Sequence, residues 1–346
     1  MKIRKALYPF SLLYGLVTSL RNKLFDWQVL ESKQYDFPVI SVGNITVGGT
    51  GKTPLTEYLI RLLKHDYKVS LLSRGYKRKT KGALLANEQS TASDIGDEPF
   101  QVGKKNPMIN VVVAEKRVEG MSLINNNTNT DVVLMDDAYQ HRYVKPGFSI
   151  LVIDYNRPLW SDLPFPAGDM RETRAGQKRA NIILVNKCPE NISNEEKQNW
   201  VKRLKLKSEQ NVFFSCIKYG EAKMLWNNEN VSFNKETSIV GLAGIAQPDA
   251  FFSHLDEKFS LKQTLAFGDH HNFTEHDLSN IHLELSKHGA NTMLITTEKD
   301  TTRLDKTLEF YRHIAYVPIE LSILFEEEKT LENLIRNYVR NNQKDS

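Results

Sequence analysis

The chain has 346 residues, 40% of them hydrophobic and 25% charged, which excludes wholesale disorder and gives room for one large α/β domain plus a smaller one. A formal net charge of +4 is small for that length, so the balance of charge gives no sign of a nucleic-acid partner. Two cysteines, Cys188 and Cys216, make neither a disulfide framework nor a metal-ligand spacing and read as thiols of a reducing compartment.

The N-terminus is basic: Lys2, Arg4, Lys5, Arg21 and Lys23 all precede Asp26, the first acidic residue. Between them, residues 6–20 are largely apolar but are interrupted by Pro9, Ser11, Gly15, Thr18 and Ser19. That is too short and too broken for a membrane-spanning helix, which needs about 20 apolar residues. A secretory signal, with a weak small-residue pattern at Val17 and Ser19, conflicts with the nucleotide chemistry encoded soon after. Two readings remain: a helix packed on the protein's own core, or an interfacial helix with basic flanks on anionic lipid.

Short β-rich apolar runs follow at 37–42, 69–72, 109–113, 132–135, 149–153 and 182–185. Several are apolar on successive residues, as strands buried on both faces must be. Residues 54–63 place Leu55, Tyr58, Leu59 and Leu62 on one helical stripe. Strand–helix–strand repetition predicts an α/β fold of P-loop NTPase type, with a doubly wound, mostly parallel sheet. Residues 218–235 are polar and Asn-rich, and a second α/β pattern then begins: strands at 238–242, 261–267 and 292–296, helices from Pro248 and near 278–286. The expected division is an N-terminal amphipathic segment (1–30), a P-loop domain (31–215), a linker or hairpin (216–237) and a smaller C-terminal α/β domain (238–346).

Residues 43–54 follow a strand and open a helix, the context that a phosphate-binding loop requires. Gly48, Gly49 and Gly51 let successive N–H groups turn toward a phosphate, Lys52 reaches the β/γ-phosphates, and Thr53 can ligate Mg²⁺. Thr46 stands where the strict pattern has glycine. The strand at 132–135 ends in Asp136-Asp137, where a metal-organising carboxylate belongs; the residues alone do not divide the roles of the pair. Candidates for activating an acceptor hydroxyl are Asp97, in Gly96-Asp97-Glu98-Pro99, and His270, in Gly268-Asp269-His270-His271, although a helix cap and a solvated loop explain them equally well. Asn186-Lys187-Cys188-Pro189 begins like a guanine-recognition motif but has proline where the base-binding aspartate belongs. Arg74, Arg117, Arg142, Arg171 and Arg174 are guanidinium forks suited to phosphate; any one of them taken alone reads as surface charge. A P-loop GTPase or metallochaperone, and a nucleotide-gated membrane adaptor, are the competing functions.

Together these segments resemble the tetraacyldisaccharide 4'-kinase family, which phosphorylates the lipid A precursor. The resemblance rests on Leu7-Tyr8-Pro9-Phe10, on residues 39–44 leading to Gly48-Gly49-x-Gly51-Lys52-Thr53, and on residues 72–76 and 96–99. It continues in Asp136-Asp137-x-x-Gln140-His141-Arg142, Pro166-Ala167-Gly168-x-x-Arg171-Glu172 and Asp269-His270. It implies transfer of the ATP γ-phosphate to the 4'-hydroxyl of an acylated glucosamine disaccharide 1-phosphate by a peripheral, monomeric enzyme. The place implied is the cytoplasmic face of the bacterial inner membrane. The family's loop also accommodates Thr46. By the same resemblance ATP is held by Thr46, Val47, Gly48, Gly49, Thr50, Gly51, Lys52 and Thr53, and Mg²⁺ by Thr53, Asp136 and Asp137. Asp97 is implied as acid/base with His270 as partner, alongside Lys52 and Asp137 in catalysis. Asn44, Arg74, Gln140, His141, Arg142 and Arg171 are implied on the substrate side. The resemblance also favours the interfacial reading of the N-terminal helix.

Overall fold

The apolar runs become strands and the 3.6-residue patterns become helices, alternating along most of the chain. The computed structural model describes residues 4–234, 236–289, 291–304, 308 and 310–343. In order, the elements are α1 (Tyr8–Asp26), β1 (Val39–Gly43), α2 (Lys52–Leu63), β2 (Val69–Ser73), β3 (Leu84–Leu85), α3 (Ala92–Ile95), α4 (Asp97–Lys105) and β4 (Asn110–Val113). There follow α5 (Arg117–Asn127), β5 (Val132–Met135), β6 (Phe148–Asp154), β7 (Ile182–Asn186), α6 (Asn194–Leu204), β8 (Asn211–Tyr219) and β9 (Lys223–Met224). The remainder are β10 (Ser238–Ala243), α7 (Asp249–Lys258), β11 (Leu261–Ala266), α8 (Glu275–Lys287), β12 (Thr292–Thr297), β13 (Ile314–Val317), β14 (Ile319–Ile323) and α9 (Glu328–Asn341). Two units result: Met1–Ile217 with Leu321–Ser346, and Lys218–Glu320.

The first unit is built on a nine-stranded sheet in the order β14-β8-β7-β6-β1-β5-β2-β4-β3. β1 lies between β5 and β6, parallel to both, with Ile40 opposite Leu134 on one side and Phe148 on the other. Successive residues of β1 serve opposite faces, as the pleat dictates. Ile40 and Val42 join Leu55, Leu59 and Leu63 of α2 in one core, while Val39 joins Met121 and Ile124 of α5 in another. Leu59 is fully buried, so Leu59→Ala would cost about 2–5 kcal/mol. This packing fixes the carboxyl end of β1, where the loop to α2 begins.

The second unit carries a five-stranded sheet, β11-β10-β12-β13-β9, parallel except for β9 at the edge. Taken in chain order, its parallel strands run 2-1-3-4, which puts the switch in winding direction between β10 and β12. Phe251 and Leu255 of α7 cover one face, Ile281 and Leu285 of α8 the other.

Two boundaries differ from the sequence expectation. Residues 321–346 belong to the first unit, not to the C-terminal domain. Leu331, Ile335 and Val339, four apart on α9, are buried in the first unit's core, and the Tyr338 hydroxyl bonds both the N–H and the carbonyl of Val39. The polar stretch expected as linker or hairpin is a hairpin, with Lys223 bridged antiparallel to Asn230, but from Lys218 it belongs to the second unit, where β9 pairs with β13 through Met224 and Ala315.

Helix α1 combines features of both readings offered for it. It sits on the first unit by a face of small and polar residues, with Ser11 and Gly15 buried. Phe25 near its end is buried too, but most of its apolar residues point the other way: Phe10 is 62% exposed and Leu16 66%, with Leu12, Leu13, Val17 and Leu20 also exposed.

Candidate active site

Residues 44–51 leave β1 and enter α2 as a loop whose shape two glycines set. Gly48 (φ 101°) and Gly51 (φ 89°) occupy the left-handed region. A β-carbon at Gly51 would also stand 2.0 Å from Asn186 Nδ2, so only glycine fits there. Thr46 needs no such freedom: it lies in an extended bridge to Met170, with Val47 N–H donating to Asp169 O (2.7 Å) and Arg171 N–H to Ile45 O (2.7 Å). Asn44 is fully buried and ties the loop from inside, donating to Thr50 Oγ1 at 3.0 Å. From outside, Asn186 Nδ2 donates to Thr50 O (3.0 Å), while Lys187 reaches Gly49 O and Asp154. The Asn-Lys pair that resembles a guanine motif therefore braces the phosphate loop. A β-carbon at Gly49 would meet open space, so the loop is held on its sides and clear above, which fits a phosphate at the N-terminus of α2.

The carboxylates at the end of β5 face this loop. Lys52 Nζ lies 3.5 Å from Asp137 Oδ1, and one guanidinium nitrogen of Arg171, Nη1, donates to both oxygens of Asp137 at 2.8 and 3.1 Å. Burial works against the charged form of Asp137, but Lys52 and Arg171 outweigh it and hold the carboxyl below its ordinary range. Asp136 is the opposite case. It is buried, accepts from Thr56 Oγ1, and is pushed up to about 7, first by burial and then by the Glu98 carboxylate. Oxygen ligands of this kind suit Mg²⁺, which takes one or two carboxylates plus phosphate oxygens and water. Among the described residues no cluster of three or more His, Cys, Asp or Glu makes a protein-only metal cage.

Other predicted residues border this centre. Asp97 and Glu98 form the first turn of α4, after Gly96 (φ 92°), whose missing β-carbon lets the turn press on Gly75. Arg74 is exposed on the loop after β2. His141 is held neutral, its pKa lowered to about 4 by burial and by Arg117 and Arg74. Arg117 itself is buried, donating to Ala114 O and Asp136 O, and burial lowers its pKa to about 10. Arg174 turns away and donates to Arg203 O.

Gln140 and Arg142 are engaged with neighbours in this structure. Gln140 Nε2 donates to Asn44 O (2.8 Å) and to Glu172 Oε1 (2.9 Å). Arg142 donates to Asn22 O and Asp26 of α1. Glu172, buried beneath the site, also receives both arms of Arg179. Sequence alone gives no site role to Glu98, Glu172 or Asn186, although each lies in a motif singled out there: residues 96–99, the stretch with Arg171, and the guanine-like Asn-Lys pair.

His270 lies in the second unit, at the carboxyl end of its sheet. It is buried, has φ 56°, and its Nε2 is 3.0 Å from Lys299 Nζ, which also pairs with Asp269 at 3.2 Å.

Comparison with known proteins follows the same pattern. The family described as tetraacyldisaccharide-1-P 4'-kinase matches residues 3–340. A tetraacyldisaccharide 4'-kinase of Phocaeicola vulgatus is 43% identical over 360 residues, covering 100% of this chain and 98% of that protein. Another, of Flavobacterium johnsoniae, is 44% identical and covers 98% of each. A crystal structure of LpxK from Aquifex aeolicus in complex with ATP superposes with a TM-score of 0.77 at 29% identity, over 97% of this chain and 99% of that one.

Proposed function

Because the chain belongs to the tetraacyldisaccharide-1-P 4'-kinase family, and so is an ATP-dependent kinase of lipid A biosynthesis, we propose how its own residues carry the transfer. The observation that carries the proposal is the convergence of Lys52, Asp137 and Arg171 over the glycine loop at the N-terminus of α2. The loop N–H groups bind the phosphates, and the Lys52 ammonium offsets the charge that develops on the transferred phosphoryl group. Thr53, Asp136 and Asp137 would hold Mg²⁺, which would supply neutralisation of the phosphate oxygens. Asp97 takes the proton of the 4'-hydroxyl as that oxygen attacks, and His270 is its partner in handling the proton. Arg74, His141 and Arg171 face the lipid headgroup, while Asn44, Gln140 and Arg142 hold the loops that present them.

The lipid is met at a bilayer surface, by a monomer. Supporting this are the outward apolar face of α1 and the exposed Arg4 and Lys23 near its ends; each cation near an anionic surface contributes about 1 kcal/mol. Arg21, expected to join them, points inward to Gln140 O. No helix among the described residues is long and apolar enough to cross a membrane. The proposed place is peripheral, on the cytoplasmic face of the inner membrane, where ATP is available.

The test is to incubate the chain with γ-labelled ATP, Mg²⁺ and tetraacyldisaccharide 1-phosphate in mixed micelles. Label on the 4' oxygen is the expected result, lost in Lys52→Ala and in Asp97→Ala. Label released only as inorganic phosphate, or transfer undiminished in a folded Asp97→Ala, would overturn the division of roles.

A further inference from the structure

The inward face of α1 is bonded to the loops that carry the site. Ser11 Oγ accepts from Ala167 N–H (2.8 Å), the Tyr14 hydroxyl donates to Arg171 O (2.9 Å), and Gly15 lets the helix backbone approach Thr173 and Pro164. About two turns beyond Gly15, Asn22 Nδ2 donates to Glu172 Oε2 at 2.8 Å. Glu172 also receives Arg179 and Gln140, and Gln140 Nε2 reaches Asn44 O at the start of the phosphate loop. A chain of hydrogen bonds therefore runs from the helix through a buried carboxylate to the loop; Gln140 follows Asp137 closely in sequence, and Glu172 is adjacent to Arg171.

We infer that Asn22 is a positioning residue for the transfer: its amide orients Glu172, and through Gln140 and Arg171 this sets the geometry of the phosphate loop and Asp137. The inference rests on the kinase reading above and extends it, because it gives α1 two faces with separable tasks. The apolar face meets lipid, and the polar face fixes the site. A buried carboxylate can receive several donors at once, and its orientation depends on which are present. Without the Asn22 amide, Glu172 keeps Arg179 but loses the contact that fixes its Oε2 side from α1. Gln140 then has a less constrained partner, and Asn44 O a less constrained donor.

Two variants separate the tasks. Asn22→Ala removes the donor; Asn22→Asp keeps the shape but sets a carboxylate against Glu172. Both are assayed with detergent-solubilised lipid, so that vesicle binding does not limit turnover, and melting and vesicle co-sedimentation are measured alongside. By analogy with groups that orient a ligand from behind, a kcat loss of about 10-fold is expected for Asn22→Ala. Asn22→Asp should lose at least as much. Vesicle binding should stay within about twofold, since it belongs to the other face, and lipid KM should change less than kcat. Asn22→Gln, which restores an amide donor, should recover part of kcat. An unchanged kcat in Asn22→Ala would overturn the inference. So would a loss confined to KM or vesicle binding, or a kcat loss in Asn22→Ala that Asn22→Gln does not relieve at equal melting temperature. A wild-type chain that transfers no phosphate to lipid overturns the kinase reading and this inference together, whereas normal wild-type transfer with an indifferent Asn22 overturns only the latter.

Discussion

Both units place a strand, a loop and a helix at the carboxyl end of a parallel sheet, where ligands of α/β folds gather. The two strand ends are built for different work. After β1, glycines at positive φ turn the loop backbone outward, and side chains brace it only from the flanks. After β10, the N–H of Gly244 already donates to Asp300 Oδ2 at 2.9 Å. Asp300 is fully buried, also accepts from Thr297 Oγ1 and pairs with Arg303. An internal carboxylate thus stands where the first unit leaves space for a phosphate. Sheet topology supplies the position, and the identity of a few loop residues decides whether it receives a ligand.

This contrast can be broken at either end. The largest effect is expected from Lys52→Ala, which should lower kcat by about 10³-fold with melting unchanged, because a preorganised charge at the transferred group is removed. Asp97→Ala and His270→Ala should each lower kcat by about 10²-fold and raise the KM for ATP far less. Combined, they should lose less than the product of the two, as members of one proton-handling unit do. Additive losses would separate them. In the second unit, Asp300→Ala should cost stability, about 3 kcal/mol, since it breaks a buried ion pair with Arg303 and removes the acceptor for Gly244 N–H and Thr297 Oγ1; urea denaturation reads this, and an unchanged midpoint would show that the carboxylate is not structural. The smallest effect belongs to the lipid face of α1. Leu13→Ser with Leu16→Ser should weaken vesicle binding and raise lipid KM several-fold while leaving kcat alone, because both side chains are exposed and neither touches the site.

Much of this was legible in the residues. Continuous apolar runs located β1, β2, β4, β5, β6 and β7 to within a residue or two, because a strand buried on both faces has little freedom of composition. The glycine loop was equally plain, since its pattern is local in sequence, whereas the Asp136-Asp137 pair took its meaning only from the loop. The membership of α9 was hidden. Its Leu331, Ile335 and Val339 stripe shows a buried face but not which core receives it. The same limit applied to α1, whose residues left a core-packed and an interfacial reading open; Ser11 and Gly15, with Phe25 near the end, make the seat. Nor did spacing disclose that Glu98 raises the pKa of Asp136, or that Asn186 braces Thr50 across 136 positions. Such contacts depend on which strands become neighbours, and that is a property of the sheet as a whole.

Calorimetric titration of the chain with ATP and Mg²⁺, alongside Gly51→Ala, tests the central contrast most directly. A β-carbon at Gly51 would collide with Asn186 and demand a strained backbone, so it should close the first unit's loop while leaving the second unit's sheet intact. The account predicts one ATP site per chain in the wild type and at least about tenfold weaker binding in the variant, in line with the cost of a strained φ. A second equivalent of ATP in the wild type, or undiminished affinity in a folded Gly51→Ala chain, would contradict it.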